Sequence, residues 1–264
     1  MDIFATRARL ETGWAENVRV CSEAGLIKQI LPDAAPAPGD IKVDTLLPAL
    51  ANLHSHSFQR AMAGMTEYRV QGRESFWTWR DLMYRFLDQL QPEHISAIAC
   101  QTFMEMQQAG YASVGEFHYV HHQNGGTPYD ALGELSLRIM EAAQTTGIGL
   151  THLPVLYTYG GAGGQPLLGG QQRFGNDVDR FAELVAACRT AAAKLPTDTR
   201  VGIAPHSLRT TLPAELTQAL TLPGEGPIHI HIAEQTKEVD DISALLGARP
   251  VEWLLDNAPV DDRW

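Results

Sequence analysis

From residue 45 onward the chain alternates short apolar runs with longer stretches in which apolar residues recur every three or four positions. Strand-like runs followed by helix-period stretches predict parallel βα units. The clearest helix is Pro92–Gln108. There Ile95, Ile98, Ala99, Phe103 and Met106 share a face, Pro92 suits the first turn, and Gly110 supplies a stop. A second helix is predicted from Asp177 to Lys194, with Val178, Phe181, Leu184, Val185 and Cys188 on one side. Strands are predicted at 45–56, 111–118, 148–156, 200–205 and 227–233. Further helices are predicted at about 129–146, after Thr211 and Pro213, and on to about residue 257.

Residues 1–44 have a different texture. Val18–Cys21 and Leu26–Leu31 read as strands, followed by a Pro/Ala-rich turn from Pro32 to Gly39, so a small β unit is expected before the main domain. Five βα units fall short of the eight that close a barrel and would leave edge strands unpaired. The chain is therefore expected to be the N-terminal portion of a longer protein.

Composition narrows the class. At 264 residues with 44% apolar and 19% charged residues, the chain can bury one barrel-sized core. A formal net charge of −11 argues against nucleic acid or an anionic membrane as partner. The N-terminus lacks the apolar core of a signal peptide, no apolar run is long enough to span a bilayer, and Cys21, Cys100 and Cys188 are scattered and odd in number. A cytoplasmic protein with reduced thiols is expected.

The chemistry begins at His54 and His56, which close the leucine-rich run 47–56. Alternate residues of a strand share a face, so both imidazoles point one way and form two corners of a metal site. In Pro227–Glu234, His229 and His231 alternate with isoleucine; His231 lies nearer the strand's C-terminal end, where barrels place their chemistry, and Glu234 follows three residues on. A metal-ligating histidine with a carboxylate beside it suits hydrolysis by an activated water. His206 and Arg209 end the fourth predicted strand, and an arginine there can clamp a carboxylate. The stretch Ser75–Asp81 sets Phe76, Trp77 and Trp79 around Arg80 and reads as a long, aromatic-packed loop that holds Arg80 over the site. His118, His121 and His122 are set aside as ligands because they read as loop positions on different faces; Tyr119 among them can offer a hydroxyl to substrate. The glycine-rich stretch 159–170 lacks the Gly-Lys-Ser/Thr ending of a phosphate loop and reads as a mobile loop.

Together the segments Asn52–Gly64, Ser75–Arg80, His206–Arg209 and His231–Glu234 resemble the formimidoylglutamate deiminases, within the amidohydrolase superfamily of metal-dependent hydrolases. The resemblance implies an α/β fold, a (β/α)8 TIM barrel of which the first five units are present, with part of a small N-terminal β-sandwich domain. It places residues 1–44 in the small domain and 45–264 in the barrel. It implies zinc at His54, His56 and His231, with iron and manganese as other metals that three imidazoles suit. It implies Glu234 as proton shuttle, and substrate contacts from Gln59, Arg80, Tyr119, His206 and Arg209. The implied reaction is hydrolysis of N-formimidoyl-L-glutamate to N-formyl-L-glutamate and ammonia in histidine degradation. The substrate is then a small molecule with two carboxylates, and a homodimer is expected. Family members carry a further histidine on the sixth strand and a metal-ligating aspartate on the eighth, and these 264 residues contain neither strand. Two other readings stand beside this one: a deaminase of guanine or a modified adenosine, and an inactive fragment or assembly module.

Overall fold

A computed structural model describes residues 1–65 and 76–264, the side chains of residues 76–78 and 81 excepted. Ser75 and the side chains of Phe76 and Trp77 lie outside the described residues. The chain divides into two compact units, Met1–Leu50 and Ala51–Trp264.

The first unit is a four-stranded sheet: β1 (Ile3–Leu10), β2 (Gly13–Glu23), β3 (Leu26–Leu31) and β4 (Ile41–Leu46), in the order β3-β2-β1-β4. β1 and β3 flank β2 antiparallel, and β4 joins β1 parallel. The turn between β2 and β3 places Ala24 at φ 50° and Gly25 at φ 79°, the left-handed pair a tight hairpin needs. Ala5, Ala8, Val18 and Val20 form its small core, and Arg19 bridges Asp2 and Asp40 at 2.8 and 2.9 Å.

The second unit is built on β5 (Leu50–Ser55), β6 (Tyr111–His118), β7 (Gly149–Leu156), β8 (Arg200–Val201) and β9 (Ala204–Pro205). Strand order is β5-β6-β7-β8, with β9 also on β7, and β6, β7, β8 and β9 pair parallel. Gly115 of β6 is glycine for a steric reason, since a Cβ there would come within 2.8 Å of the Leu53 carbonyl oxygen. The helices are α1 (Phe76–Leu87), α2 (Pro92–Gln108), α3 (Glu134–Thr146), α4 (Val178–Ala192), α5 (Pro213–Leu220), α6 (Thr236–Leu246) and α7 (Pro250–Asn257). Ile95, Ala99 and Phe103 of α2, Leu135 and Ile139 of α3 and Leu184 of α4 bury their faces with Val114, Leu150 and Leu153 in the main core. Asp177 caps α4 by accepting a hydrogen bond from the Arg180 amide at 2.8 Å. Among the described residues no helix is long and apolar enough to cross a membrane.

Three departures from the sequence expectations have local causes. The stretch 45–56 is not one strand. It divides at Leu47–Ala49 around Pro48, which has no amide to donate, so that β4 serves the first sheet and β5 the second. The aromatic stretch after residue 75 opens a helix, α1, instead of forming a loop. The predicted strand 227–233 makes one parallel bridge, Ile203 with Ile228. The Ile203 amide donates to Pro227 O at 3.0 Å and the His229 amide to Ile203 O at 3.1 Å. The next bond of a parallel ladder would need an amide from Pro205, which has none. The ladder stops there, and the His231 amide turns to His206 O at 2.9 Å.

Candidate metal centre and substrate pocket

The C-terminal end of β5 and the strand-like segment between α5 and α6 bring three imidazoles to one point. His54 Nε2 lies 3.1 Å from His56 Nε2 and 3.2 Å from His231 Nε2. Bonds of about 2.0–2.1 Å to a tetrahedral ion set ligand nitrogens roughly 3.3 Å apart, so this spacing fits a shared cation. Among the described residues this is the one group of three or more His, Cys, Asp or Glu side chains close enough to share a metal.

The imidazoles are also prepared electronically. His56 Nδ1 donates to the Phe117 carbonyl at 2.8 Å, which leaves the Nε2 lone pair facing His54. Burial lowers the His56 ring to about 4, and burial with the two neighbouring imidazoles lowers His231 to about 2. His54 is lowered as well, by burial. All three are therefore neutral near pH 7, as metal ligation needs. The Phe117 ring packs on His231 with centroids 4.2 Å apart and fixes its plane.

Beneath this cluster Glu116 is fully buried on β6, and its Oε1 accepts from both the amide and the hydroxyl of Ser57, each at 2.7 Å. Those bonds tie down the turn that follows His56. Burial raises the Glu116 carboxyl from 4.5 to about 7. Its raised value means the folded protein keeps a proton that the unfolded chain has released between those two pH values. That contribution to stability is complete below the unfolded value and is lost as pH rises through the folded one. Glu116→Gln should flatten this dependence: relative to wild type, the variant gains roughly 3 kcal/mol in going from pH 4.5 to pH 8. Urea unfolding at the two pH values measures it, and an unchanged difference between the proteins contradicts it.

A cavity of about 460 Å³ opens over the cluster, and every site residue named from the sequence lines it: His54, His56, Gln59, Arg80, Tyr119, His206, Arg209, His231 and Glu234. Glu234 accepts from Arg209 Nη2 at 2.7 Å. Gln59 donates to the Tyr119 hydroxyl at 2.7 Å, and burial pushes that phenol's pKa up, so it remains a hydroxyl donor. His206 packs its ring against Tyr157 and His231, 4.7 and 5.0 Å away, and burial keeps it well below its ordinary basicity. The Arg80 guanidinium lies 5.6 Å from the centroid of the Tyr84 ring. A neighbouring cavity of about 630 Å³ shares Arg80, Tyr157 and Arg209 and widens toward Lys237.

Sequence reasoning does not name Trp79, Met83, Tyr84, Tyr157 and Phe174 as lining residues, yet all five line the pocket. Tyr157 directly follows β7 at a strand's C-terminal end, and that position is a usable signal. Phe174 carries none, because it arrives through a turn far from any strand end. Two of the excluded histidines, His121 and His122, are bonded elsewhere. His118 is the last residue of β6, not a loop position. His121 donates to Val155 O at 3.0 Å, and His122 bonds Gly175 O and Asn176 Oδ1 at 2.9 and 3.0 Å. The glycine-rich stretch closes on itself, with the Gly160 amide donating to Gln165 O at 2.8 Å and Gln171 Nε2 to Gly160 O at 3.0 Å.

Comparison with known proteins places this geometry. Residues 45–259 match the family described as "Amidohydrolase family", and residues 2–43 match "Formimidoylglutamate deiminase HutF, N-terminal domain". A formimidoylglutamate deiminase of Pseudomonas aeruginosa is 49% identical over 99% of this chain and 58% of its own length. An amidohydrolase crystal structure from Brucella melitensis superposes with a TM-score of 0.96 at 46% identity, covering all of this chain and 58% of that one. The atrazine chlorohydrolase of Arthrobacter aurescens, solved with zinc, has a TM-score of 0.76 at 18% identity, over 99% of this chain and 59% of that one, and shares the fold. The chain thus spans a little under three fifths of the length of these relatives.

Proposed function

The chain belongs to the amidohydrolase family, and from that premise we propose that its pocket serves the hydrolysis of N-formimidoyl-L-glutamate to N-formyl-L-glutamate and ammonia, with zinc held by His54, His56 and His231. One observation carries the reading. A three-imidazole cluster, a carboxylate and two guanidinium groups line a single cavity of about 460 Å³. The imidazoles and Glu234 suit hydrolysis of a C–N bond, and Arg80 and Arg209 suit a substrate with two carboxylates. The likeness to a formimidoylglutamate deiminase supports the same substrate. A cytoplasmic setting belongs to the proposal and agrees with three free thiols.

A divalent metal in the cluster would make water a competent nucleophile near neutral pH and polarise the group under attack. Glu234 takes a proton from the attacking water on a carboxylate oxygen and passes it to the departing nitrogen. A C–O bond forms at the formimidoyl carbon. The second water proton follows from the new hydroxyl to the terminal nitrogen, the bond from carbon to that nitrogen breaks as the oxygen becomes the formyl C=O, and ammonia leaves. Arg209 holds the Glu234 carboxylate through the 2.7 Å contact and presents its remaining donors to a substrate carboxylate. Arg80 receives the second carboxylate. His206, neutral and facing the cluster, and the Gln59–Tyr119 pair orient the chain between them. Trp79, Tyr84, Tyr157 and Phe174 exclude water from the reacting centre.

The aromatic lining keeps a second reading in play, deamination of a heterocycle stacked between those rings. Ammonia release from zinc-loaded protein, measured in parallel with N-formimidoyl-L-glutamate, guanine and adenosine, separates the two. The proposal expects turnover of the formimidoyl compound alone. Turnover of a purine in its place selects the second reading, and no turnover of any of them overturns both for this chain.

A further inference from the structure

Glu234 and Arg209, the residues given the proton transfer and a carboxylate contact above, meet at a third charged side chain that neither role uses. Glu238 lies in the first turn of α6 with its side chain wholly buried. Its Oε2 accepts from the Glu234 amide at 2.9 Å, and its Oε1 from the Ala233 amide at 3.1 Å. The same Oε2 stands 3.4 Å from Arg209 Nε, an ion-pair contact. Arg209 in turn reaches the Glu234 carboxylate at 2.7 Å. A closed circuit results: Glu238 grips the backbone of Glu234 from one side and the guanidinium that grips the Glu234 side chain from the other.

The backbone records what the circuit holds. Ala233 sits at φ 57°, a left-handed conformation that alanine adopts rarely and retains only when its surroundings impose it. That twist lies between His231 and Glu234 and turns the chain from the strand-like segment into the pocket rim. A buried carboxylate accepting both amides of the twisted turn is the constraint that keeps it. An acidic residue at a helix start would be unremarkable by itself. The two bonds, both to residues that precede the N-cap Gln235, and the shared guanidinium are not explained by helix capping.

We infer that Glu238 is a positioning residue, which sets Glu234 for proton transfer and Arg209 for carboxylate binding at the same time. The inference rests on the proposed reaction for its kinetic form, while its structural form can be read without turnover. Glu238→Gln keeps size and one acceptor, but it turns an amide N–H toward a backbone N–H and removes the charge facing Arg209. Glu238→Asp keeps the charge on a shorter arm. In metal-loaded protein, Glu238→Gln is expected to lower kcat for N-formimidoyl-L-glutamate by about 10- to 100-fold and to raise KM. For a formimidoyl amine without carboxylates only kcat should fall, since Arg209 has nothing to bind. Glu238→Asp should recover part of both losses. A crystal structure of Glu238→Gln should show Ala233 leaving its positive φ and Arg209 displaced from its wild-type position. Kinetic constants at wild-type values, or an unmoved turn and guanidinium in that structure, overturn the inference. If the wild-type chain itself does not release ammonia, the deiminase reading fails, and the crystal structure alone decides on Glu238.

Discussion

Replacing His231 by alanine is expected to abolish stoichiometric metal binding and to cut ammonia release from N-formimidoyl-L-glutamate by about a thousandfold or more. His231 is the member of the cluster that the chain supplies from farthest away, 177 residues from His54. Its Nε2 stands 3.2 Å from that of His54, so its loss leaves only two imidazoles of the set. Two neutral nitrogens make a far weaker site than three, and zinc chemistry in proteins rests on at least three protein ligands. The fold should tolerate the change. The His231 ring is only partly buried, and it is the amide, not the ring, that bonds to His206 O. Metal analysis and a thermal melt of the same sample separate loss of the site from loss of the fold. Retention of one metal per chain with activity intact would contradict the assignment.

Arg209→Met should act on substrate binding, raising KM for N-formimidoyl-L-glutamate roughly a hundredfold. Arg209 is a firmly held cation of the pocket. Its side chain is 13% exposed, with the guanidinium set between Glu234 at 2.7 Å and Glu238 at 3.4 Å. A charged contact in such a place is worth more than one at the surface, because little water competes for it. The variant also leaves Glu238 buried beside an apolar chain, so stability should fall by about 3 kcal/mol, the cost of stranding a buried charge. Methionine keeps the length and most of the apolar stem, which confines the effect to the lost charge. Steady-state kinetics with a denaturant melt read both effects. A variant that loses stability yet keeps the wild-type KM would remove Arg209 from the substrate's path.

The amino-acid pattern specifies some elements of this fold closely and others hardly at all. The helix Pro92–Gln108 and the strand Tyr111–His118 match their expected bounds because Pro92 and Gly110 punctuate them and the pattern between is regular. The stretch 45–56 and the segment 227–233 mislead for one shared reason. Apolar alternation says that a segment can lie in a sheet, but not which sheet or how many rungs it makes. Pro48 divides the first, and Pro205, on a different segment, ends the ladder of the second. Helix α1 escapes because Phe76, Trp77 and Trp79 look like loop packing, although Trp79, Met83 and Leu87 carry a helical period.

The site divides in the same way. His54 and His56 announce themselves by period two on a strand, and His231 by the same rule on another segment, so their convergence follows from strand ends meeting on one side of a parallel sheet. Gln59 and the pairing of Arg80 with Arg209 come with the family resemblance, not with spacing, whereas Tyr119 is suggested by its place at the end of the second predicted strand. Glu116 and Glu238 escape because each looks ordinary in sequence, one in the middle of a strand and the other at a helix start. What distinguishes them is full burial, Glu116 against Ser57 and Glu238 against two backbone amides and a guanidinium, and only the assembled fold reveals that.

The proposed function rests on three imidazoles from two distant segments forming one metal centre. An anomalous-difference map from crystals of the zinc-loaded protein, collected at the zinc edge, tests it most directly. One dominant peak is expected within bonding distance of the Nε2 atoms of His54, His56 and His231. A peak seated elsewhere, or no peak at those nitrogens in crystals that contain zinc, would contradict it.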